Sequence, residues 1–304
     1  MNGALSRVEG IVAPRPTGRL AFIADFYELS KPRIITLLLI TTAAAMVIAA
    51  RGIPSLRLLF FTLIGGGLAA ASAGAFNCIV DSDIDGLMRR TCARPIPTGR
   101  LSIRSAAVYA IATGALSFII LMIFVNPLAA WLSLLGNIYY VVIYTMLLKR
   151  ATPLNIVIGG AAGAIPPLVG CAAVTDTLTG QAWGLFALIF LWTPPHFWSL
   201  ALMTETDYAR ARVPMLPNVS GVARTKFEIV AYSVVLVGAS LLLYKLHLFG
   251  SVYLAAAIIL GTTFLACAFG TYFSTAVIWP RRLFRYSLLY LALMCAIMVV
   301  DRIV

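Results

Sequence analysis

The chain has 304 residues, of which 61% are hydrophobic and 11% charged, with a net charge of +12 and a mean hydropathy of +0.96. Soluble domains contain about 45–50% apolar residues, so this composition excludes a chain that hides its apolar surface in one water-soluble core. The placement of the basic residues, described below, accounts for the positive charge, and we predict no nucleic-acid partner.

Residues 1–30 predict a cytoplasmic N-terminal arm, which we expect to be mobile. They do not resemble a secretory signal, because their apolar patches are short and are interrupted by Asp25 and Glu28. The remaining residues, 31–304, are expected to form a single intramembrane domain.

Nine apolar segments follow the arm, each close to the roughly 20 residues that a spanning helix needs. Continuous apolar runs without period-two alternation favour helices over a closed barrel, the other structure that spans lipid. We therefore predict an all-α, polytopic membrane protein, with a break in the fifth segment at Pro166 and Pro167. The segments are approximately 34–50, 58–80, 104–124, 127–147, 154–173, 182–202, 227–246, 252–273 and 284–303.

The basic residues predict the orientation of the bundle. If the N-terminus is cytoplasmic, four of the 23 Lys and Arg residues fall outside the cytoplasmic side: Arg51, Arg57, Lys245 and Arg302. Lys and Arg concentrate on the cytoplasmic side of membrane proteins. We expect a multi-pass protein of a bacterial-type plasma (inner) membrane, with its N-terminus in the cytoplasm.

An acidic cluster follows the second apolar segment. Asn77, Asp81 and Asp85 are spaced four residues apart, so on an α-helix their side chains share one face, whereas Asp83 points roughly opposite. Carboxylates at this spacing repel one another, and a divalent cation relieves the repulsion. Carboxylate and amide oxygens suit Mg²⁺, which often takes substrate phosphates as its remaining ligands.

Three arginines follow the acidic cluster, namely Arg89, Arg90 and Arg94. Guanidinium groups bind phosphate oxygens bidentately. Metal-binding carboxylates next to such arginines predict a diphosphate site. The alternative is that each arginine belongs to a solvated cytoplasmic loop that follows the positive-inside rule.

A second charged cluster follows the sixth segment and contains Asp207 and Arg210. It lies on the same predicted side of the membrane as the first cluster, so we expect the two to form facing halves of one site. The fourth segment adds Tyr144 and Lys149 near the same surface.

A diphosphate ester whose tail dissolves in a membrane bundle is a prenyl diphosphate. Mg²⁺ and cationic side chains stabilise the departing diphosphate, so the C–O bond can ionise to an allylic cation. A dry cavity keeps water from this cation, and tyrosine rings offer it their negative faces.

These residues resemble the UbiA superfamily of intramembrane prenyltransferases. The spacing of Asn77, Asp81 and Asp85 resembles its first aspartate-rich motif, and the similarity extends over about residues 25–304. Within the superfamily the match is closest to the branch that farnesylates heme. The blocks that carry this match are YELSKPRIITLLLITTAAAM (27–46), DIDGLMRRTCARPIPTGR (83–100), LKRATPLNIVIGGAAGAIPPLVG (148–170), LWTPPHFWSLAL (191–202) and DYARARVPMLPNVSG (207–221).

The resemblance implies a bundle of nine transmembrane helices around a central cavity that opens near the cytoplasmic face. It also implies transfer of the farnesyl group of farnesyl diphosphate to a vinyl group of heme b, with a hydroxyl added at that position. The product, heme O, is the precursor of heme A, so heme A synthase is an expected partner.

By motif position, the resemblance assigns Mg²⁺-diphosphate to Asn77, Asp81 and Asp85 on one side and to Asp207 on the other. The family's second motif carries another aspartate where this chain has Ala211. His196, in the PPHFW block, is expected near the porphyrin or in proton transfer.

Two alternatives use the same charged residues. Another superfamily member would pass the prenyl group to an aromatic quinone precursor, and its aspartates would be the same. A transporter would line an ion path with intramembrane charges, but here the charges gather at one surface.

Overall fold

The computed structural model describes residues 18–303, which form helices joined by short loops and contain no strand. Within this range, nine helices are long and apolar enough to cross a membrane. The predicted all-α, multi-pass architecture is confirmed. The spanning helices are α2 (Pro32–Ala50), α3 (Leu56–Val80), α5 (Ile103–Phe124), α6 (Pro127–Ile138, continued by a π-helix, Tyr139–Leu148), α7 (Asn155–Thr175), α8 (Gly180–Met203), α10 (Leu216–Lys245), α11 (Ser251–Phe273) and α12 (Ile278–Ile303).

Side-chain caps begin several of these helices where the sequence changes from polar to apolar. The cap oxygen accepts a hydrogen bond from an amide that has no partner inside the helix. Ser55 caps α3 through the amide of Leu58 at 3.3 Å, and Asn126 caps α6 through the amide of Ala129 at 2.8 Å. Each cap fixes the residue at which its helix begins, which explains why the connection before it is short, as predicted.

Three short helices lie outside the spans: α1 (Arg19–Leu29), α4 (Ser82–Asp85) and α9 (Glu205–Arg210). Helix α1 occupies the second half of the predicted N-terminal arm. Arg100, in the loop after α4, forms ion pairs with Asp25 and Glu28 at 3.2 Å each, which ties α1 to the bundle. Residues 1–17 of the predicted arm lie outside the described residues.

The last part of the chain differs from the predicted boundaries. Helix α10 begins at Leu216 rather than near residue 227, and it bends at Gly221, whose φ is 81°. A positive φ is open to glycine without a steric penalty. Helix α12 begins at Ile278 rather than near residue 284. The first turns of α10 and α12 contain polar or charged residues, so the hydropathy pattern did not show where these helices begin.

The predicted break in α7 is wrong. The helix runs from Asn155 to Thr175 through Pro166 and Pro167. Prolines are tolerated in spanning helices when neighbouring helices pack around them. Helix α7 has this support, because 67% of its apolar window is buried, against 17–39% in the seven spans other than α7 and α8.

Close backbone approach holds the centre of the bundle together. A Cβ on Gly170 of α7 would lie 2.4 Å from the carbonyl oxygen of Thr42 in α2. Between α3 and α5, Ser117 donates a hydrogen bond to the carbonyl of Gly65 at 2.7 Å. Small residues permit such contacts in lipid, where no hydrophobic force drives helices together. Helices α2 and α7, which approach each other closely at Gly170, both contribute residues to the wall of the central cavity.

Candidate active site

The first acidic loop begins where α3 ends at Val80. Asp81 lies in a turn before the short helix α4, so the expected uninterrupted helix through Asp85 is wrong. The helical spacing of four residues nevertheless persists. The amide of Asp81 donates a hydrogen bond to the carbonyl of Asn77 at 2.9 Å, and the amide of Asp85 donates one to the carbonyl of Asp81 at 2.8 Å. Asn77 and Asp81 face each other as predicted, with Asn77 Nδ2 donating to Asp81 Oδ2 at 2.8 Å.

Two carboxylates of this loop are fully buried and each is paired with one cation. The side chains of Asp81 and Asp85 are 0% exposed. Lys149 Nζ forms an ion pair with Asp81 Oδ2, and Arg94 Nη1 lies 2.6 Å from Asp85 Oδ2. Burial lowers the pKa of Arg94, but the charge of Asp85 and their hydrogen bond outweigh it, so the net pKa is raised. A buried charge without such a partner is strongly destabilising.

The second oxygen of each buried carboxylate has no hydrogen bond. Asp81 Oδ1 and Asp85 Oδ1 are both inaccessible to solvent and lack a donor, although Arg150 Nη2 approaches Asp81 Oδ1 to 3.9 Å. Buried acceptors normally find a partner. These two open, hard oxygen atoms belong to residues four apart in the chain, and they are of the type that binds a Mg²⁺ ion that keeps waters or substrate phosphates as its other ligands.

Protein ligands alone do not complete such a site. Within residues 18–303, no three His, Cys, Asp or Glu side chains come together as a ligand group. Asp207, predicted to share the metal, is therefore not brought into a common ligand group with Asp81 and Asp85. Its neighbouring charge is Arg210, whose Nη1 lies 3.9 Å from Asp207 Oδ1.

The second charged loop nevertheless packs against the first. Ile84 and Met88 of the first loop share a buried apolar cluster with Tyr208 and Ala211 of the second. The expectation that the two loops face each other agrees with this packing. Ala211, where the family pattern has an aspartate, is 5% exposed and belongs to the contact between the loops.

The predicted arginines have different surroundings. Arg89 and Arg90 are exposed and form no ion pair with an acid of the described chain. Arg94 instead pairs with Asp85. Arg150, which the sequence pattern did not single out, binds Asp83 bidentately with two hydrogen bonds of 2.7 Å. Hydrogen bonding from Arg150 lowers the pKa of Asp83.

Lys31 is a site residue that the sequence pattern counted only toward topology. It lies just before α2 with a left-handed φ of 57°, and its Nζ donates a hydrogen bond to Asn77 Oδ1. Burial lowers its pKa. Because Lys31 also lines the cavity below, it links the acidic loop to that cavity.

A cavity of about 630 Å³ lies inside the bundle and is walled by α2, α3, α6, the π-helix, α7, α8 and α12. This volume lies within the range of ligand sites, which are mostly apolar with a few polar groups. Among its lining residues are Lys31, Asn137, Tyr140, Tyr144, Thr193 and His196.

The π-helix places the predicted Tyr144 and Lys149. Short π-helical segments often mark functional sites. The rings of Tyr140 and Tyr144 lie 5.4 Å apart, and both line the cavity. A Cβ on Gly159 would lie 2.2 Å from a ring carbon of Tyr144. The small residues of the TPLNIVIGGAAGA block therefore give room to a cavity ring as well as to helix packing.

His196 lies deeper, on the cavity side of α8, and is 8% exposed. Its ring is stacked on Trp192, with centroids 4.3 Å apart, and on Phe284, with centroids 4.7 Å apart. Its Nδ1 lies 2.7 Å from Ser287 Oγ. His196 therefore lies on the cavity wall, and its expected place near the porphyrin or in proton transfer stays a prediction.

Comparison with known proteins agrees with this architecture. A protein named protoheme IX farnesyltransferase from Synechocystis sp. is 54% identical over 283 residues, which cover 92% of this chain and 90% of that protein. A solved structure of digeranylgeranylglyceryl phosphate synthase has a TM-score of 0.77 at 18% identity, covering 93% of this chain and 99% of that one.

A UbiA homologue from Archaeoglobus fulgidus, solved with DMAPP and Mg²⁺ bound, has a TM-score of 0.65 at 18% identity and covers 90% of this chain and 99% of that one. At this identity the two solved structures show a shared fold. The UbiA prenyltransferase family itself matches residues 38–289. This chain, with its cavity below two buried aspartates, belongs to the UbiA prenyltransferase family.

Proposed function

We propose that this protein transfers the farnesyl group of farnesyl diphosphate to a vinyl group of heme b, and that heme O and diphosphate are the products. The observation that favours heme as the acceptor is the 54% identity, over nine-tenths of both chains, to a protein named protoheme IX farnesyltransferase. The buried aspartates above an apolar cavity support the prenyl-transfer half of the reaction.

Asn77, Asp81 and Asp85 would hold Mg²⁺ beside the diphosphate. The two aspartates would bind it through the carboxylate oxygens that lack a hydrogen bond, and Asn77 through Oδ1, which here accepts a hydrogen bond from Lys31. The bound ion supplies charge stabilisation for the leaving diphosphate. The UbiA homologue solved with DMAPP and Mg²⁺ supports this assignment. Asp207 contributes from the second loop, either as a further ligand through water or after the loops close on substrate.

The cations of the site have two roles in this proposal. Lys149 and Arg94 compensate the buried charges of Asp81 and Asp85 by ion pairs. Arg89, Arg90 and Arg210 then bind phosphate oxygens. Arg89 and Arg90 are exposed and form no ion pair within residues 18–303, and Arg210 is held loosely, with Nη1 3.9 Å from Asp207 Oδ1. When diphosphate binds, the ammonium of Lys149 is close enough to the site to contact it as well.

The cavity receives the farnesyl chain and protects the allylic cation. The C1–O bond breaks with its electron pair leaving on the diphosphate. Tyr140 and Tyr144 turn aromatic rings toward the cavity, and such faces attract a cation. The apolar walls exclude water until the acceptor is in place.

The acceptor step follows from the chemistry of a vinyl group. Its terminal carbon uses the π electrons to form the new C–C bond with farnesyl C1, which leaves a cation on the carbon next to the porphyrin. Water adds its oxygen to that carbon and loses a proton, which gives the hydroxyl. No oxidant or reductant is needed.

Orientation and partner are further parts of the proposal. The protein is an integral, multi-pass membrane protein by its nine apolar helices in the described range. We place the protein in a bacterial-type inner membrane with its N-terminus and both charged loops on the cytoplasmic side, because Lys and Arg residues concentrate on that side. Heme O then passes to heme A synthase.

The test is turnover by the purified protein in lipid nanodiscs. Heme b and farnesyl diphosphate are supplied with Mg²⁺ or with EDTA, and the extracted heme is identified by mass. We expect the mass of heme b to increase by one farnesyl group and one hydroxyl group, and we expect EDTA to abolish the product. A parallel reaction with an aromatic quinone precursor separates the alternatives: its prenylation in place of heme would contradict the proposal, as would vectorial transport without any covalent product.

A further inference from the structure

The hydrogen bonds around His196 determine which nitrogen of its ring carries the proton. Ser287 Oγ has one hydrogen, which it donates to the carbonyl oxygen of Phe284 at 2.7 Å. The same oxygen lies 2.7 Å from His196 Nδ1. Ser287 must therefore accept this bond, and His196 Nδ1 carries the hydrogen. The other nitrogen, Nε2, then has an unshared electron pair in the neutral ring.

Packing determines where Nε2 points. The imidazole of His196 is stacked with the rings of both Trp192 and Phe284, at interplanar angles of 16° and 21° respectively. Trp192 is itself held by a 2.7 Å hydrogen bond from Nε1 to the carbonyl of Ser287. His196 lines the cavity, and because its Nδ1 edge is turned to Ser287, the Nε2 edge is the one left to face the cavity. Within residues 18–303, Nε2 has no hydrogen-bond partner.

This is how proteins prepare a histidine for metal. A metal-ligating histidine donates its other N–H to an oxygen of the protein, which holds both tautomer and ring orientation. Here the surroundings are apolar and aromatic, with no carboxylate near the ring among the described contacts. They suit a neutral ligand and a flat, aromatic guest better than they suit a charged acid or base.

The depth of His196 separates it from the diphosphate site. It lies seven residues before the end of α8 at Met203, which corresponds to about 10 Å along the helix at 1.5 Å per residue. Asn77 lies only three residues before the end of α3 at Val80. A guest held at His196 would therefore lie in the cavity beneath the metal and diphosphate, where the allylic carbon is delivered.

We propose that His196 Nε2 binds the iron of the heme acceptor and that Ser287 positions the imidazole for this bond. The inference rests on the proposed function, since it requires heme to be the acceptor. Ligation would orient the porphyrin so that one vinyl group meets farnesyl C1. It would also give the protein a preference for metalloporphyrin over metal-free porphyrin.

The experiment is a heme titration of the full-length protein in nanodiscs, purified without a polyhistidine tag and with no farnesyl diphosphate present. Absorption and resonance Raman spectra report imidazole on the iron. The chain has two histidines, so His247→Ala is the matched control: His247 is exposed and lies at the far end of α10. We expect the imidazole signature in the wild type and in His247→Ala, and its loss in His196→Ala.

Two further measurements make the result independent of a damaged fold. Labelling the histidines of the wild-type protein with ¹⁵N should shift the iron–nitrogen vibration. Added imidazole should restore the signature in His196→Ala, because the removed ring leaves space for it.

Ser287→Ala, which keeps the ligand but removes its anchor, should weaken heme binding about 10- to 100-fold.

The outcomes distinguish this inference from the proposed function. If the wild type makes farnesylated heme but shows no ¹⁵N shift, or if His196→Ala keeps the wild-type spectrum, the inference is wrong and the proposed function stands. If an aromatic precursor is prenylated and heme neither binds nor reacts, both are wrong.

Discussion

The two charged loops, which follow α3 and α8, are built differently. In the first loop, Asp81 and Asp85 are fully buried, and each is tied to a cation at hydrogen-bond distance. In the second loop, Asp207 remains 14% exposed in its side chain, and its cation, Arg210, is 3.9 Å away. The first loop is thus assembled before any ligand arrives, whereas the second has charge that is still available to one.

The physical reason lies in the cost of burying charge. Two carboxylates without water must be compensated inside the protein, or the fold would be strongly destabilised. A partly exposed carboxylate is solvated and needs no such partner. We infer that the first loop holds the ion and that the second loop adjusts to the substrate.

Asp81→Asn should have the largest effect. The amide keeps the shape and one acceptor but removes the charge that would hold Mg²⁺, so we expect turnover to fall about a thousandfold, comparable to the loss of a strong transition-state interaction. Initial rates of farnesyl transfer in nanodiscs measure this. The protein should still enter the membrane and remain monodisperse; activity within twofold of wild type would refute the metal assignment of the first loop.

Asp207→Asn should have an intermediate effect, which tests the second loop. Because this carboxylate would complete the site only with substrate present, we expect KM for farnesyl diphosphate to rise about tenfold, or about 1.4 kcal/mol, with a smaller fall in kcat. Steady-state kinetics at several Mg²⁺ concentrations provide the measurement. A loss as large as that of Asp81→Asn would mean that the two loops are equal partners.

Arg89→Ala should weaken diphosphate binding by several-fold, since an exposed guanidinium contributes less than a buried one. Competition by free diphosphate against farnesyl diphosphate measures this effect directly. Arg57→Ala, on the opposite side of the membrane by the predicted topology, is the control. An unchanged diphosphate affinity would return Arg89 to a purely topological role.

Asp83→Asn should have the smallest effect and serves as the control for Asp81→Asn in the same loop. Asp83 is 60% exposed and binds Arg150 rather than the proposed metal, so we expect rates within twofold and a stability loss of about 0.2–1 kcal/mol at neutral pH.

The pH dependence of this small effect follows from the pKa of Asp83, which its hydrogen bond to Arg150 lowers. A carboxyl group whose pKa is lower in the folded state than in the unfolded state stabilises the fold at pH values above its unfolded-state pKa. This contribution is lost as the pH falls through the folded-state pKa. Thermal unfolding of both proteins should therefore converge in acid and differ near neutrality. A difference that grows in acid would contradict the pairing.

Much of the site could be predicted because its signals are local. Asn77, Asp81 and Asp85 were found from their spacing, and the backbone bonds that keep this spacing involve residues four apart. Predictions failed where a distant part of the chain overrode a local preference. Pro166 and Pro167 do not break α7, because its neighbours in the bundle surround it.

Other residues could not have been assigned from the sequence. Lys31 was counted as one of many cytoplasmic cations, yet it contacts Asn77 and lines the cavity. Arg94 was expected on phosphate and instead pairs with Asp85. Composition gives every Lys and Arg the same charge, and it does not tell which acid each will meet.

The amino-acid sequence is enough to predict an all-helical, multi-pass membrane protein, which the nine apolar helices within residues 18–303 confirm, and to identify the acids that share a four-residue spacing. Hydropathy and helical period suffice for these features because both are properties of neighbouring residues. Tertiary structure decided which partners meet: Lys149 and Asp81 are 68 residues apart, and His196 and Ser287 are 91 apart. Such contacts exist only after the helices pack, because the orientation of each helix in the bundle, rather than its own sequence, brings the two side chains together.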